Sequence, residues 1–350
     1  MSPGDQGAVR AVVRSIRELR IETRPAPSPR DDQALVRPTL LAVDPADLAL
    51  LQSDDDFDGV VGHRFVGVVE THPDGEFVGR RVVADPAFVP SDSPLARRGL
   101  AHHAPERELL GLRGRDGVFA ERVAIETSHL IPVPDAIDDD AAVFALPLAA
   151  AVHASRVVRL EGKSFVTVLG DNLSALLCAQ VMTALNATVR LLGSDPARMA
   201  VAEKWGIRNR PVEEVGLRAD QDVVIDCTGA RESVALAMGL ARPRGKVVLR
   251  TPATPLPRPI DEPTRNAGDF LRSMTPGDPP LGGPDLTVAI RKELELVGAR
   301  HASIADGVEA LASGEIRLSG LITKRAKFED AVSAFRAAGY PDQLQVVIEP

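Results

Sequence analysis

Apolar and polar positions follow different patterns in the two parts of the chain. In the first 150 residues, short β-type runs are separated by proline and glycine, with little helical periodicity between them. Strands at this spacing predict a small barrel-like β domain. The runs are 8–13, 33–37, 65–70 and 81–84.

Beyond about residue 150, continuous apolar runs alternate with segments of helical periodicity. Strands that are apolar throughout and alternate with helices are typical of a parallel, doubly wound sheet. The predicted strands are 164–169, 188–192, 222–226 and 246–249, and the predicted helices are 174–185, 196–205 and 231–240.

Residues 252–284 are rich in proline and glycine and form too long a stretch for an ordinary connection. They predict an extended loop or lid, with a surface insertion without catalytic role as the alternative. The elements predicted after it would complete both domains. They are a strand at 294–297, helices near 308–313 and 329–338, and a last strand at 344–348.

The composition sets few further limits. A chain of 350 residues exceeds what one hydrophobic core covers, so we expect two domains. The net charge of −8 gives no electrostatic reason to expect nucleic acid or an anionic membrane as a partner.

Neither a bilayer-spanning run nor a signal peptide is recognisable, so we expect a cytoplasmic protein. Cys178 and Cys227 lie in apolar stretches and are expected to be buried free thiols.

Residues 62–69 read Gly-His-Arg-Phe-Val-Gly-Val-Val. This segment resembles the zinc-type medium-chain alcohol dehydrogenases, because it differs at one position from that family's Gly-His-Glu-Phe-Val-Gly-Val-Val. Further similar segments follow in family order at 79–83, 114–121, 142–149 and 242–248, the last resembling the turn before the fifth strand.

The resemblance implies an α/β fold class: a GroES-like β-barrel domain plus a Rossmann domain with a doubly wound parallel sheet. Residues 1–147 and 302–350 would form the GroES-like domain. Residues 148–301, including the insertion 252–284, would form the Rossmann domain.

The resemblance also implies a catalytic zinc, but the aligned residues depart from its ligands. Asp44 replaces the cysteine, Ala46 a proton-relaying threonine, Arg64 a glutamate and Leu146 another glutamate, while His63 is kept. Two ligands are too few for a tight zinc site, so we expect no bound metal and instead an ion pair between Arg64 and Asp44 beside His63. These three are the candidate catalytic residues. His63 is either a hydrogen-bonded core residue or a proton-transfer group.

The family's second zinc lies in a lobe with four cysteines. Here the aligned positions hold Pro90, Ser93, Ala96 and Ala104, so no structural zinc is expected. A lobe without its metal must be held by packing or become mobile.

The expected dinucleotide turn is 170–175, Gly-Asp-Asn-Leu-Ser-Ala. Gly170 makes the turn, but Asn172 replaces the second glycine and its side chain would enter space meant for phosphate. Asparagine tolerates positive φ, so the turn itself would survive. The helix that follows would still offer backbone N–H groups to an anion.

Gly193 stands where an acidic residue usually binds the adenosine ribose of NAD. This glycine would leave room for the 2′-phosphate of NADP, whereas Asp195 would repel it and no adjacent arginine would attract it. Both NAD and NADP therefore stay open. The candidate cofactor-binding residues, including small residues where the family lines its nicotinamide pocket, are Gly170, Asp171, Asn172, Leu173, Gly193, Ser194, Asp195, Thr228, Gly229 and Thr251.

Three hypotheses follow. The first is an NAD(P)-dependent oxidoreductase that reduces activated double bonds or quinones by hydride transfer without zinc, with a small-molecule substrate. The second is a catalytically inactive pseudoenzyme that acts as a binding or partner protein. The third is a metal enzyme that uses Asp44 and His63. By resemblance, two copies would pair through the edge strand near 294–297.

Overall fold

The computed structural model describes residues 7–16, 18–53, 55–160, 162–251, 285–300 and 303–350. The segment 252–284, for which a loop or lid is predicted, lies outside the described residues. The chain divides into two compact units: unit 1 comprises Met1–Val152 with His301–Pro350, and unit 2 comprises His153–Arg300.

The N-terminal part of unit 1 is mainly β-structure. Its strands are β1 (Ala8–Ser15), β2 (Glu18–Pro25), β3 (Gln33–Ala42), β4 (Gly59–Val60), β5 (Phe65–Thr71), β6 (Arg81–Ala84), β7 (Ala87–Phe88), β8 (Glu108–Leu110), β9 (Gly114–Arg115), β10 (Val123–Glu126) and β11 (Leu130–Pro132). Its helices are α1 (Pro45–Gln52), α2 (Asp139–Ala142) and the first part of α3 (Ala145–Val158), of which residues up to Val152 belong to unit 1.

The described part of unit 2 contains a six-stranded parallel sheet. Its strands are β12 (Phe165–Leu169), β13 (Thr188–Gly193), β14 (Arg208–Pro211), β15 (Gln221–Asp226), β16 (Ala241–Leu249) and β17 (Glu295–Gly298). The helices are α4 (Leu173–Ala184), α5 (Pro196–Lys204), α6 (Arg231–Leu240) and α7 (Thr287–Lys292). The strand order β14-β13-β12-β15-β16-β17 reverses direction between β12 and β15, which is the topology of dinucleotide-binding folds.

The C-terminal part of the chain completes unit 1. Its elements are α8 (Ile304–Ala312), β18 (Ile322–Lys327), α9 (Ala331–Ala338) and β19 (Gln345–Glu349). β19 pairs antiparallel with β3, with Ile348 opposite Leu41, and extends the sheet β11-β6-β5-β3-β19-β18. The two ends of the chain therefore share one sheet, as the resemblance implies.

The core of unit 1 forms where the apolar faces of these sheets meet. Phe119 and Phe335 are fully buried and pack edge to face with ring centroids 5.2 Å apart. Gly62 lies against the Phe119 ring, because an added Cβ would come within 1.7 Å of that ring. Gly62 also has a φ of +86°, which side chains rarely adopt. Glycine therefore fixes the chain direction immediately before His63.

The structure also describes the predicted turn at 242–248 and the two cysteines. The turn predicted at 242–248 lies inside β16, where residues 242–245 bulge out between two paired positions, Ala241 and Lys246. Cys178 and Cys227 are buried and free, as expected. Among the residues that the structure describes, no helix has the length and apolar character that crossing a bilayer requires.

Candidate functional site

The first candidate site is built on the N-terminus of α1. Asp44 is the N-cap, and its side chain accepts a hydrogen bond from the Ala46 N–H at 3.0 Å. Asp47 completes a capping box, because its Oδ2 accepts the Asp44 N–H at 2.8 Å. The cap holds both carboxylates in fixed positions.

His63 is oriented by the second of these carboxylates. Its Nδ1 lies 3.0 Å from Asp47 Oδ1, and both side chains are buried. Its Nε2 lies 3.8 Å from Asp44 Oδ1, which is beyond hydrogen-bond distance. When the ring is protonated, Nδ1–H donates to Asp47 and Nε2–H remains available for another acceptor. Sequence reasoning missed Asp47, although the pattern Asp-x-x-Asp at 44–47 is a capping signal.

Arg64 is the other buried group of this site, with 2% of its surface exposed. Its Nη1 donates to Asp44 Oδ2 at 3.2 Å and to Gln345 Oε1 at 2.9 Å. Its Nη2 donates to the Val143 carbonyl at 3.2 Å. Gln345 is itself held, because its Nε2 donates to the Val43 carbonyl at 2.9 Å. The expected Arg64–Asp44 ion pair is therefore present, and Gln345 is a further partner that sequence reasoning missed.

The charges of this cluster balance when His63 is protonated. Burial is the largest influence on the His63 pKa and lowers it, but the Asp47 carboxylate, its hydrogen bond and Asp44 together raise the pKa above its ordinary value. Burial likewise raises the pKa of Asp44, yet His63 and Arg64 outweigh it and hold that pKa below its ordinary value. Burial lowers the pKa of Arg64, against the opposing effect of Asp44.

The residues of this cluster do not fit a zinc ion. The Arg64 guanidinium engages Asp44, the carboxylate that would ligate a metal beside His63. Leu146 has no ligating atom, and a buried cation already supplies positive charge at this place. Within the described ranges, no group of three or more His, Cys, Asp or Glu side chains is arranged to hold a metal.

In the lobe, the four positions aligned with the family's cysteines are Pro90, Ser93, Ala96 and Ala104. Ser93 and Ala104 are buried. Nearby, the Phe88 ring stacks on His129 with a centroid distance of 3.8 Å, and the Arg115 guanidinium lies 3.9 Å above the same ring. Arg115 also donates to Glu126 at 2.6 Å. Stacking and ion pairing thus connect this region of unit 1.

The second candidate site lies in unit 2, at the carboxyl ends of β12, β13 and β15. A cavity of about 550 Å³ opens there, at the point where the strand order reverses. Its location and size suit the adenosine part of a dinucleotide. Of the predicted cofactor residues, those lining it are Gly170, Asp171, Asn172, Gly193, Ser194 and Thr228, whereas Leu173, Asp195, Gly229 and Thr251 are not among its lining residues.

Asn172 adopts ordinary backbone geometry. It is the N-cap of α4 with a φ of −75°, so the turn does not use the positive φ that asparagine tolerates. Its Oδ1 accepts the Ala175 N–H at 3.0 Å, and its Nδ2 donates to the Cys227 carbonyl at 2.7 Å. The positive φ of the turn, +109°, belongs to Gly170. One N–H at the start of α4 is therefore satisfied by the protein itself.

The expectation of free space at Gly193 is wrong. A Cβ on Gly193 would lie 2.8 Å from Asp171 Oδ2, so the Asp171 side chain already occupies this space. The expectation that no arginine is adjacent is also wrong, because Arg198 lines the cavity and its Nη1 lies 3.3 Å from Asp171 Oδ1. Arg198 lies one helical turn into α5, too far from Gly193 in sequence for its proximity to be evident.

Comparison with known proteins agrees with this architecture. Residues 30–135 match the alcohol dehydrogenase GroES-like domain. The chain is 23% identical over 364 residues to a sorbitol dehydrogenase of Bacillus subtilis (strain 168), covering 97% of this chain and 96% of that protein.

Solved structures show the same fold at low identity. One is a protein of Sinorhizobium meliloti 1021 assigned as a zinc-binding dehydrogenase and bound to NADP, with a TM-score of 0.85, 22% identity and coverage of 99% of this chain and 100% of that chain. Another is a short chain alcohol dehydrogenase from E. coli CFT073 complexed with NADH, with a TM-score of 0.82, 18% identity and coverage of 98% and 100%.

Residues 30–135 therefore match the GroES-like domain of the alcohol dehydrogenases, and most of the chain is similar to alcohol dehydrogenase-like medium-chain dehydrogenases/reductases, which are oxidoreductases. The fold class of the chain is α/β, with a GroES-like domain and a Rossmann-type parallel sheet.

Proposed function

We propose that this protein is an NAD(P)-dependent oxidoreductase that transfers a hydride to a small molecule without a catalytic zinc. The observation that carries the proposal is the Arg64 guanidinium, which is bonded to Asp44 where the family places a metal ligand. Beside it, His63 has a raised pKa and a Nε2–H that is not donated to either carboxylate. The NADP- and NADH-bound relatives of the same fold support the choice of cofactor class.

The proposal assigns cofactor binding to unit 2 and proton donation to unit 1. A bound nicotinamide supplies the hydride. Addition of hydride to a quinone or to the double bond of an unsaturated ketone leaves negative charge on the acceptor. A protonated His63 would transfer the Nε2 proton to that acceptor, while Asp47 holds the ring through Nδ1. Polarised acceptors of this kind need a positioned acid more than a metal.

The test is reductase activity in the presence of a chelator. NADH or NADPH oxidation is followed at a wavelength specific to the reduced nicotinamide, with quinones and α,β-unsaturated ketones as acceptors and EDTA throughout. His63→Gln is expected to lower kcat by about 100-fold or more, because a general acid typically contributes at least about that much. His103→Gln, at an exposed position, is the control. Activity that appears only after zinc is added would contradict the proposal, as would equal kcat values for the two variants.

A second candidate function is that of a non-catalytic binding or partner protein. The observation that favours it is internal satisfaction of donors at two helix starts. Asn172 takes the Ala175 N–H of α4, and Asp171 takes the N–H groups of Ser194 and Asp195 before α5. Cofactor phosphates commonly use such donors. Reductase activity in the chelator assay would exclude this candidate.

We also propose that two copies of the chain pair through β17. Among the residues that the structure describes, this strand ends the order of the parallel sheet, and edge strands offer unpaired backbone groups. Leu296 on β17 is 37% exposed, and Ile290 on α7 is 77% exposed. Light scattering after gel filtration should give a dimer mass for the native chain and a monomer mass for Leu296→Glu. A monomeric native chain would disprove this pairing.

A further inference from the structure

The Asp171 carboxylate occupies a distinct place in the cavity of unit 2. It projects from the turn after β12 and lies over Gly193, the last residue of β13. Asp171 is 8% exposed, so its charge is largely withdrawn from water. A charge in such a place must be compensated by hydrogen bonds and an opposite charge.

Three donors compensate it. Asp171 Oδ2 accepts the Ser194 N–H at 2.7 Å and the Asp195 N–H at 2.8 Å. Asp171 Oδ1 receives Arg198 Nη1 at 3.3 Å. Two backbone N–H groups at the start of α5 and one guanidinium therefore converge on a single anion, which is the donor set that a phosphate group would otherwise attract.

Two requirements of cofactor chemistry meet at this position. In dinucleotide folds, an acidic group near the end of the second strand binds the ribose hydroxyls of NAD, whereas the 2′-phosphate of NADP needs cationic and N–H donors there. In this chain the end of the second strand is Gly193, which has no side chain. The carboxylate instead comes from the first turn, and glycine at 193 is what admits it.

We infer that Asp171 determines the cofactor of this protein, accepting the ribose of NAD and excluding the 2′-phosphate of NADP. This inference rests on the proposed function. Asp171 acts in two ways: it places a negative charge at the phosphate position, and it engages the Ser194, Asp195 and Arg198 donors that a 2′-phosphate requires. Its Oδ1 carries the longer of its contacts, and each carboxylate oxygen has two lone pairs, so Oδ1 retains capacity to accept a ribose hydroxyl.

The test measures the dissociation constants of NADH and NADPH by calorimetry for the native protein and for Asp171→Ser and Asp171→Asn. The native protein should bind NADH at least about tenfold more tightly than NADPH, equivalent to about 1.4 kcal/mol. Asp171→Ser removes the carboxylate that engages the three donors and should shift this preference toward NADPH by about tenfold or more. Asp171→Asn keeps the side-chain shape but removes the charge, so it should shift the preference in the same direction by less.

Two further variants separate the inference from a general charge effect. Glu232→Gln removes a negative charge from another position in the same cavity and should leave the NADPH-to-NADH ratio within about twofold of the native value. Adding Arg198→Met to Asp171→Ser removes the guanidinium from the cavity and should reverse most of the gain in NADPH affinity. Thermal melts of each variant establish that it is folded.

The possible results distinguish failure of the inference about Asp171 from failure of the proposed function. NADH binding by the native protein with an unchanged ratio in both Asp171 variants would overturn the inference and leave the proposed function standing. A native preference for NADPH would overturn it as well. Failure of every folded protein to bind either cofactor at millimolar concentration would overturn the proposed function and the inference together.

Discussion

At the scale of single residues, Arg64 changes what the His63 site can do. A guanidinium cannot accept an electron pair from a substrate oxygen as a metal does, but it fixes Asp44 and supplies a permanent positive charge. In the proposed function, the proton on His63 is therefore the reactive feature of the cluster. This chemistry follows from one substitution in a segment that otherwise matches the family.

The first prediction concerns the buried Arg64. Arg64→Met leaves the Asp44 carboxylate, Gln345 Oε1 and the Val143 carbonyl without their donor, and breaking such a buried pair typically costs about 3–5 kcal/mol. Urea unfolding should show this loss. Arg37→Met, which removes an exposed partner of Glu70, is the control and should cost less than about 1 kcal/mol. Equal losses for the two variants would show that the Arg64 cluster is not the tightly held unit described.

The second prediction concerns the pKa of His63. Asp47→Asn removes the carboxylate that raises this pKa, so burial should then dominate and the pKa should fall below that of the native protein. Histidine proton signals followed by NMR through a pH titration measure this pKa. An unchanged His63 pKa in Asp47→Asn would contradict the assignment of Asp47 as its orienting group.

The stability of the protein should follow the same titration. Because the folded-state pKa of His63 is raised, its stabilising contribution is fully present below the unfolded pKa of about 6.5 and is lost as pH rises through the higher folded value. The difference in unfolding free energy between the native protein and Asp47→Asn should therefore be larger at acidic pH and shrink above neutrality. A difference that grows with pH would contradict this linkage.

Residue contacts were the least predictable level of the structure. The segments at 62–69 and 170–175 located His63, Arg64 and Gly170, because local sequence is enough to align them. Gln345 bonds to Arg64 across 281 positions of the chain, and no local pattern connects the two. The contact between Asp171 and Gly193 likewise depends on how β12 and β13 align in the sheet. The sequence does not show this alignment, so the prediction of free space at Gly193 was wrong.

At the scale of elements, the strands that are buried on both faces were predicted best from the sequence. The strands β12, β13 and β15 are continuous apolar runs and were predicted within one or two residues. β2 was missed because its eight residues, Glu18–Pro25, alternate between exposed and half-buried positions and include four charged side chains. α3 was missed because Pro147 suggests the end of a helix in the sequence. In the structure Pro147 lies in the first turn of α3, where proline is compatible with a helix.

The contact between α8 and α3 gives a prediction at this scale. Gly307 on α8 lies so close to α3 that an added Cβ would be 1.9 Å from the Ala145 carbonyl oxygen. Gly307→Ala should therefore destabilise the protein by about 2–3 kcal/mol despite the higher helix propensity of alanine. Gly339→Ala meets nothing closer than 3.4 Å in the same unit and should be nearly neutral. Equal melting temperatures for the two variants would contradict the close helix contact.

At the scale of the whole molecule, the fold was predictable because it is fixed by many weak signals acting together. Alternating strands and helices predicted the parallel sheet of unit 2, and β19 from the C-terminal part of the chain pairs with β3 from the N-terminal part. The chemistry is fixed by few residues, and several of these differ from the family. The fold is therefore that of the dehydrogenases that the chain resembles, while the substituted site residues determine whether and how the protein reacts.

The most direct test of the account is cofactor binding by the purified protein in the presence of EDTA. NADH and NADPH are titrated while energy transfer from Trp205, the chain's one tryptophan, is followed, with calorimetry as the second readout. The account predicts micromolar binding of a reduced nicotinamide cofactor that chelation does not weaken. Absence of binding by both cofactors at millimolar concentration would contradict the oxidoreductase assignment and leave a dehydrogenase fold retained for another purpose.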